Sequence, residues 1–216
     1  MCFNISVKSK KNIIENHLDV RFEDDLIFEP QIHISAFTNP LIPVITARNR
    51  DKIKLYYWGL IPSWIKDKQK ANEIRKMTYN AKSETVLEKP SFRDSINNRK
   101  CLVIADGFYE WQSTSNGKEC YYITCSDNNI FTFAGLWSDW LDKSTGELLK
   151  SVSILTQPAN EIMSKIHNIK KRQPVILHSH NQGKWLDSEL NFQDIINESF
   201  NIKINYEKVH SPLKSI

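Results

Sequence analysis

Glycine is scarce in this chain, with 6 residues among 216. The glycine-rich patterns GxxxxGK[ST] and GxGxxG, which cradle nucleotide phosphates, do not occur. The sequence also lacks an apolar run long enough to span a bilayer, and its first residues show neither the apolar stretch nor the cleavage site of a signal peptide. Nucleotide-dependent chemistry therefore loses most of its support, and we expect a cytoplasmic protein with no membrane partner.

Cysteine is limited to four residues, Cys2, Cys101, Cys120 and Cys125. They form no CxxC pair and no disulfide framework, which suits a reducing compartment. Cys120 and Cys125 lie in one strand-like run, and their odd separation predicts that they point to opposite faces. This spacing argues against a zinc site, and the sequence predicts neither a metal nor a cofactor.

The composition is that of a folded protein. Hydrophobic residues make up 40% of the chain and aromatic residues 11%, which is enough for a substantial core. No linker divides the chain, so we expect one domain over residues 1–216, of which the last ~25 residues form a polar, weakly patterned C-terminal extension. The net charge of +4 permits a polyanionic partner without requiring one.

Short segments rich in β-branched and aromatic residues, bounded by turn signals, predict a mostly β protein. The predicted strands are CFNISVK, KIKLYYWGLIP, CLVIADGFYEW, CYYITC, IFTFAGLW, SVSILT and QPVILH, with a last one around residues 202–206. The predicted helical segments are KKNIIENHL, PSWIKDKQKANEIRK, PANEIMSKIH and HNQGKWL, with Pro158 at a first helical position. This order predicts a single-domain α+β fold with a barrel-like, mostly antiparallel β core and a few short helices.

The second residue, Cys2, can carry unusual chemistry. A small side chain in second place lets Met1 be removed, which leaves an α-amine and a thiol on adjacent carbons of Cys2. Both groups are usable near neutral pH. The amine can condense with an aldehyde to an imine, and the thiol can close on the imine carbon to give a thiazolidine. The alternative is that position 2 is a frayed terminus whose residue type is accidental.

The stretch YNAKSET offers groups that bind a sugar phosphate. The Asn80 amide can hydrogen-bond a carbonyl or sugar oxygen, Lys82 can meet a phosphate, and Glu84 can fix either of them. The alternative is a turn in which Ser83 or Thr85 caps the local backbone.

The stretch ADGFYEW places Glu110 among aromatic residues. A carboxylate in such surroundings is either paired, exposed on the far face of a strand, or raised in pKa and useful as a proton carrier. The exposed-face glutamate is the commoner case.

The stretch SKIHNIKKRQPVIL places His167 after an amphipathic helix and before the basic residues Lys170, Lys171 and Arg172. Histidine suits proton transfer near neutrality, and basic residues beside it can hold a phosphate backbone. The alternative is a solvated basic loop with a capping histidine.

Together these stretches resemble one family over most of the chain. The motifs occur in the order MC, TNPLIPVI, YYWGLIPSWIKD, NAKSETVLEKPSFR, KCLVIADGFYEW, FTFAGLWSDW, ILTQPAN and IHNIKKRQPVIL. They are similar to the SOS-response-associated peptidase family, whose members shield abasic sites in single-stranded DNA. The resemblance implies an α+β domain around a barrel-like core, with a positively charged groove for the strand.

The resemblance also implies roles for individual residues. Cys2 forms a thiazolidine crosslink with the ring-opened aldehyde of the abasic deoxyribose, and Asn80 orients the opened sugar or the cysteine. Glu110 shuttles protons during imine formation, ring opening and self-processing, and His167 assists proton transfer and reversal of the crosslink. The residues expected to contact DNA are Asn4, Asn39, Pro40, Trp58, Trp64, Lys82, Arg93, Thr156, Lys171 and Arg172.

The chain departs from the family pattern at three positions. Its start reads Met1-Cys2-Phe3-Asn4 where the family usually reads MCGR, so a glycine and an arginine are replaced. Lys82 stands where the family has arginine, which keeps the charge and loses the bidentate fork. We therefore expect weaker phosphate contacts at Asn4 and Lys82 than in the family pattern.

The predicted function is that of a monomeric abasic-site processing protein with self-processing peptidase and lyase-like activity, whose partner is single-stranded DNA containing abasic sites. Two alternatives stay open. One is an N-terminal-nucleophile cysteine peptidase or amidase that uses Cys2 as its acyl acceptor. The other is a non-catalytic single-stranded DNA-binding module.

Overall fold

The structure is a computed structural model that describes residues 2–24, 26–187 and 191–213. The strands are β1 (Asn4–Val7), β2 (Arg21–Phe22), β3 (Gln31–Ser35), β4 (Leu41–Thr46), β5 (Asn49–Trp58), β6 (Asn80–Lys82), β7 (Lys100–Ala105), β8 (Gly107–Thr114), β9 (Gly117–Cys125), β10 (Phe131–Leu141), β11 (Leu148–Pro158), β12 (Arg172–Pro174), β13 (Ile176–Leu177) and β14 (Ile204–Val209). The α-helices are α1 (Lys11–Leu18), α2 (Lys68–Arg75), α3 (Arg93–Asn98), α4 (Glu161–Ile166), α5 (Ser179–Leu186) and α6 (Phe192–Ser199). Short 3-10 turns cover Ala36–Thr38 and Ser83–Thr85.

Five of these strands form a closed barrel. They are hydrogen-bonded in the order β5, β4, β7, β10 and β11, and each of these neighbouring pairs is antiparallel. The ring closes through a parallel pair between β5 and β11, in which Tyr57 lies opposite Ser151 and Trp58 opposite Val152. The barrel removes the free edges of these strands. The predicted single-domain α+β fold with a barrel-like, mostly antiparallel core is therefore confirmed.

A second sheet packs against the barrel and carries the N-terminus. Its order is β14-β9-β8-β1-β3. Strand β7 of the barrel continues into β8 of this sheet through a bend at Asp106, whose carboxylate accepts hydrogen bonds from the backbone N–H (2.9 Å) and the hydroxyl (2.6 Å) of Ser9. The rings of Phe108 on β8 and Phe133 on β10 lie 5.8 Å apart, so apolar contact joins the two sheets. The first strand is thereby held against the strand that carries Glu110.

The two cysteines of β9 lie on opposite faces, as their spacing predicts. Cys125 belongs to the main core, whereas Cys120 packs with Tyr109 and Tyr122 in a separate cluster. All four cysteines are buried and none forms a disulfide.

The helix predicted to begin at Pro158 begins later. Pro158 is the last residue of β11, where it lies opposite Arg172 of β12. Asn160 is the N-cap of α4, and its side-chain oxygen accepts a hydrogen bond from the backbone N–H of Met163 at 2.9 Å. Asparagine supplies this acceptor and proline cannot, so the cap determines the start of the helix.

The C-terminal part of the chain contains more structure than its polar composition predicts. Helix α6 follows an Asn191 N-cap and buries Ile195 and Ile196. Strand β14 pairs with β9, as predicted for a last strand near Tyr206. Within the described residues, no helix is both long enough and apolar enough to cross a membrane.

Candidate active site at the N-terminus

Cys2 lies just before β1 and has no exposed surface. Burial raises the pKa of its thiol well above the ordinary value, and the negative charge of Glu110 raises it further. The Cys2 thiol is therefore protonated at neutral pH. It lies close enough to Glu110 for the charge of that carboxylate to raise the thiol pKa. Such a thiol needs a nearby base before it can act as a nucleophile.

Glu110 is the carboxylate beside Cys2. It lies on β8, which pairs with β1 so that Ile5 is opposite Phe108. Only 5% of the Glu110 residue is exposed, and burial raises the pKa of its carboxyl to about 7. Glu110 can therefore both donate and accept a proton near neutral pH, which an exposed glutamate cannot do.

His167 lies next to Glu110 at the C-terminal end of α4. Its Nε2 is 3.8 Å from Oε2 of Glu110. Its Nδ1 is engaged by the backbone of Arg172, with the N–H at 3.1 Å and the carbonyl oxygen at 3.0 Å, so Nε2 is the nitrogen that faces Glu110. Burial lowers the pKa of His167 to about 4, and the imidazole is neutral at physiological pH.

Arg172 is occupied within the protein. Its guanidinium forms a bidentate ion pair with Glu84, donates to the carbonyl (2.8 Å) and hydroxyl (3.1 Å) oxygens of Thr156, and the residue is 8% exposed. In this conformation the charge of Arg172 is neutralised by Glu84 and Thr156 is fully buried, and their role as DNA contacts stays a prediction. The ion pair fixes the backbone that holds the ring of His167.

Asn80 is the first residue of β6, which runs parallel to β11 with Asn80 opposite Ile154. Its side-chain oxygen and nitrogen are both buried, and within the described chain neither has a hydrogen-bond partner. Leaving a buried amide unpaired costs about 1–3 kcal/mol per group. The amide is thus free to bind a polar group of a substrate, as its proposed role in orienting a sugar requires.

Two further residues expected at the DNA surface lie inside the protein. Trp58 has no exposed surface, and its indole N–H donates to the carbonyl oxygen of Tyr79 at 2.9 Å. Asn4 is buried, and its side-chain oxygen lies 2.8 Å from Nε2 of His33. Both side chains are buried and have partners within the protein in this conformation, and their role as DNA contacts stays a prediction.

The remaining predicted DNA contacts are accessible. Pro40 is partly buried, and the exposed residues are Asn39, Trp64, Lys82, Arg93 and Lys171. Half of Trp64 is exposed (50%), which leaves its ring available for stacking. Lys171 and Asn39 have positive φ angles of 48° and 53°, so each marks a sharp turn of an exposed loop.

The ion pair between Glu84 and Arg172 is the site feature that sequence reasoning missed. The sequence predicts that the Glu84 carboxylate holds Asn80 or Lys82 in place, whereas in the structure it forms an ion pair with Arg172, 88 residues away. No local pattern signals such a pair. Within the described residues, no group of three or more His, Cys, Asp and Glu side chains is arranged to hold a metal ion.

Sequence comparison identifies the family of the chain. The sequence model of the SOS response associated peptidase (SRAP) family matches residues 1–215. The chain belongs to this family. The SRAP match includes every residue of the site described above.

Two relatives of the chain carry the name abasic site processing protein. The abasic site processing protein YoqW of Bacillus subtilis is 33% identical over 189 residues, which cover 87% of this chain and 80% of that protein. The abasic site processing protein HMCES of Gallus gallus is 34% identical over 150 residues, which cover 60% of this chain and 44% of that protein.

Solved structures share the fold of this chain. The crystal structure of a Bacteroides thetaiotaomicron protein has a TM-score of 0.89 and 35% identity, and the match covers 97% of this chain and 92% of that one. A Bordetella bronchiseptica protein has a TM-score of 0.78 at 20% identity, over 97% of this chain and 100% of that one, and shows the fold alone.

Proposed function

We propose that this protein processes abasic sites by binding single-stranded DNA and crosslinking Cys2 to the ring-opened abasic deoxyribose. The observation that carries the proposal is the arrangement of Cys2 beside a buried carboxyl of pKa about 7, with a neutral imidazole 3.8 Å from that carboxyl. The names of its relatives YoqW and HMCES support the same substrate. The DNA-damage role, the monomeric state and the intracellular location belong to this proposal.

The proposed reaction begins with the amine. Removal of Met1 leaves the α-amine on Cys2, and this amine adds to the sugar aldehyde to give a carbinolamine. Loss of the hydroxyl group as water, with a proton from Glu110, gives a protonated imine. The sulfur then adds to the imine carbon while the thiol proton goes to the Glu110 carboxylate and the nitrogen keeps its own proton, which gives the thiazolidine and restores neutral Glu110. The overall change is the joining of the two molecules with loss of one water.

Each proton in this sequence has a carrier in the structure. Glu110 in its neutral form protonates the departing hydroxyl, and the resulting carboxylate then takes the proton of the buried Cys2 thiol. His167 faces that carboxylate through Nε2 and can pass protons to and from it. The unpaired Asn80 amide binds an oxygen of the opened sugar and holds the aldehyde near the amine.

Binding of the strand is proposed to depend on its backbone. The exposed cations Lys82, Arg93 and Lys171 can contact phosphates, and such contacts do not select a sequence. The affinity should therefore fall as the salt concentration rises. Reversal of the crosslink would use the same groups in the opposite order.

The test is to mix the purified protein with single-stranded DNA that contains one abasic site. Intact-protein mass spectrometry first establishes that Met1 has been removed. We expect a heat-stable adduct whose mass equals protein plus DNA minus one water. Cys2→Ala should form none, and Cys120→Ala, which removes a buried thiol on β9, should behave as the unaltered protein does. Absence of an adduct from the trimmed protein, or an undiminished adduct from Cys2→Ala, would end the proposal.

A second candidate function uses the same residues. The family description includes the word peptidase, and Cys2 with Glu110 and His167 could also accept an acyl group from an amide. Turnover of an amide substrate in the absence of DNA would favour a peptidase or amidase. Equal affinity for intact and abasic strands with no crosslink would indicate a binding module only.

A further inference from the structure

An exposed aromatic ring lies beside the residue that follows Cys2. Phe37, in the turn Ala36–Thr38, is 62% exposed. Its ring centroid lies 5.1 Å from that of Phe3 and 5.6 Å from that of Tyr79, and the latter two rings are 6.2 Å apart. The three rings thus support one another, and the Phe37 ring is the one most open to solvent.

The position of this ring cluster relative to the site is fixed by backbone contacts. The Ala36 N–H donates to the carbonyl oxygen of Phe3 at 2.8 Å, and β3 ends at the turn after pairing with β1. Phe3 directly follows Cys2, and Tyr79 directly precedes Asn80. Two of the three rings are therefore chain neighbours of residues in the proposed site.

Contact with aromatic side chains distinguishes Phe37 from an ordinary exposed apolar residue. Single exposed apolar side chains are common on proteins and need no explanation. Phe37, however, is held on one side by a tilted ring (37°) and an edge-on ring (86°), which restricts its motion while leaving part of its surface uncovered. A restricted aromatic face loses little entropy when a flat partner stacks on it.

The charges around the turn match a strand of nucleic acid. The Arg75 guanidinium lies 3.4 Å from the carbonyl oxygen of Asn39, just after the turn, and Lys82 is exposed two residues beyond Asn80. Arg75 also packs over the ring of Tyr57, so Lys82 is the more available of the two cations. A surface with an exposed aromatic ring and a cation suits unpaired bases, because bases stack on the ring while phosphates meet the cation.

We propose that Phe37 is a stacking platform for the nucleobase that neighbours the abasic residue. This inference rests on the proposed function and adds to it the part of the DNA strand that the protein recognises, which is the base next to the abasic residue. A base next to an abasic residue has lost its stacking partner on one side, so its apolar face is exposed to water. Covering that face with Phe37 places the abasic sugar near Cys2 and favours a damaged strand over an intact one.

The test uses a strand in which 2-aminopurine, a fluorescent base quenched by stacking, adjoins a tetrahydrofuran residue. Tetrahydrofuran imitates the abasic sugar and cannot open to an aldehyde, so binding is measured without crosslinking. Saturating protein should quench the adjacent 2-aminopurine and leave one placed five residues away unchanged. Phe37→Ala should bind about 5- to 100-fold more weakly and leave the adjacent base unquenched at saturation, whereas Phe37→Trp should restore the affinity.

Tyr206→Ala is the matched control, since it removes a half-exposed aromatic ring from β14, and it should quench like the unaltered protein. Quenching by Phe37→Ala equal to that of the unaltered protein, or failure of the unaltered protein to quench, would overturn the inference. A parallel reaction with an authentic abasic strand separates the two proposals. Crosslinking without quenching would support the proposed function and rule out Phe37 as a stacking platform. Quenching without crosslinking would support the stacking platform and rule out the proposed crosslinking.

Discussion

Replacing Glu110 by glutamine should make the protein more stable and less active. Burial raises the pKa of the carboxyl from 4.5 to about 7, so the folded state holds the proton more tightly than the unfolded state. Stability is therefore lost as the pH rises from 4.5 through 7. A change of about 2.5 pKa units at 1.36 kcal/mol per unit gives a loss of about 3 kcal/mol by pH 8. Glutamine carries no charge and avoids this loss.

The assay is urea unfolding of the unaltered protein and Glu110→Gln between pH 4.5 and pH 8. The stability difference should shift in favour of Glu110→Gln by about 3 kcal/mol across that range, and Glu147→Gln, which alters an exposed glutamate, should show no comparable trend. The crosslinking rate of Glu110→Gln should fall by about 100-fold or more, since a general acid contributes at least that factor. A stability difference that does not change with pH would refute the assignment of a buried proton to Glu110.

Three further outcomes are expected. The pKa of about 4 predicts that the His167 imidazole stays neutral from pH 8 down to pH 5, so its ring proton signals in NMR spectra should not show the large change that accompanies protonation of an imidazole over that range. Glu84→Gln removes the partner of Arg172, and because the Glu84 side chain is 43% exposed we expect a loss of about 1 kcal/mol or less in urea unfolding, with crosslinking a few-fold slower. Gly59→Ala should lower stability by about 1–3 kcal/mol in the same assay, because Gly59 has φ 113° and an added Cβ would lie 2.7 Å from the Arg75 carbonyl oxygen.

Each of these has a contradicting outcome or a matched comparison. A His167 ring signal that shows the change of a protonating imidazole between pH 8 and pH 5 would contradict the burial argument. Glu88→Gln, which alters an exposed glutamate four residues after Glu84, should leave the crosslinking rate unchanged. Gly117→Ala also replaces a glycine with positive φ, yet nothing lies within 4 Å of its added Cβ, so it should cost less than Gly59→Ala.

Local sequence patterns predicted most of the strands and could not predict how the barrel closes. The runs that became β7, β10 and β11 are apolar and β-branched, and each is a strand in the structure. Closure joins Tyr57 to Ser151 in a parallel pair. Nothing in either segment specifies the other, because a pairing across so many residues depends on the twist and curvature of the strands between them.

Helix boundaries failed where one side chain decides the outcome. Pro158 suited a first helical turn, yet the strand continues to it and the Asn160 cap starts the helix. The sequence did not predict the helix after Asn191, because the segment is mostly polar and its two buried isoleucines, Ile195 and Ile196, are adjacent. Short capped helices depend on contacts with the rest of the protein more than on their own periodicity.

For the candidate site, the sequence predicted which residues matter better than it predicted which are exposed. Chemistry and family resemblance singled out Glu110 and His167, and the structure brings them within 3.8 Å. Which side chains are exposed was harder to predict. Arg172 and Trp58 are residue types that bind DNA, but both are buried in the structure and contact other parts of the protein. Whether a cation is free depends on its partner, and the partner of Arg172 lies 88 positions earlier in the chain.

The pairing of β1 with β8 sets the moment at which the nucleophile becomes sheltered. Phe108 has to be synthesised before Ile5 can lie opposite it. Until then the first residues of a growing polypeptide have no strand on that side. The removal of Met1 that the proposed chemistry requires can therefore take place before β8 is available to cover the terminus.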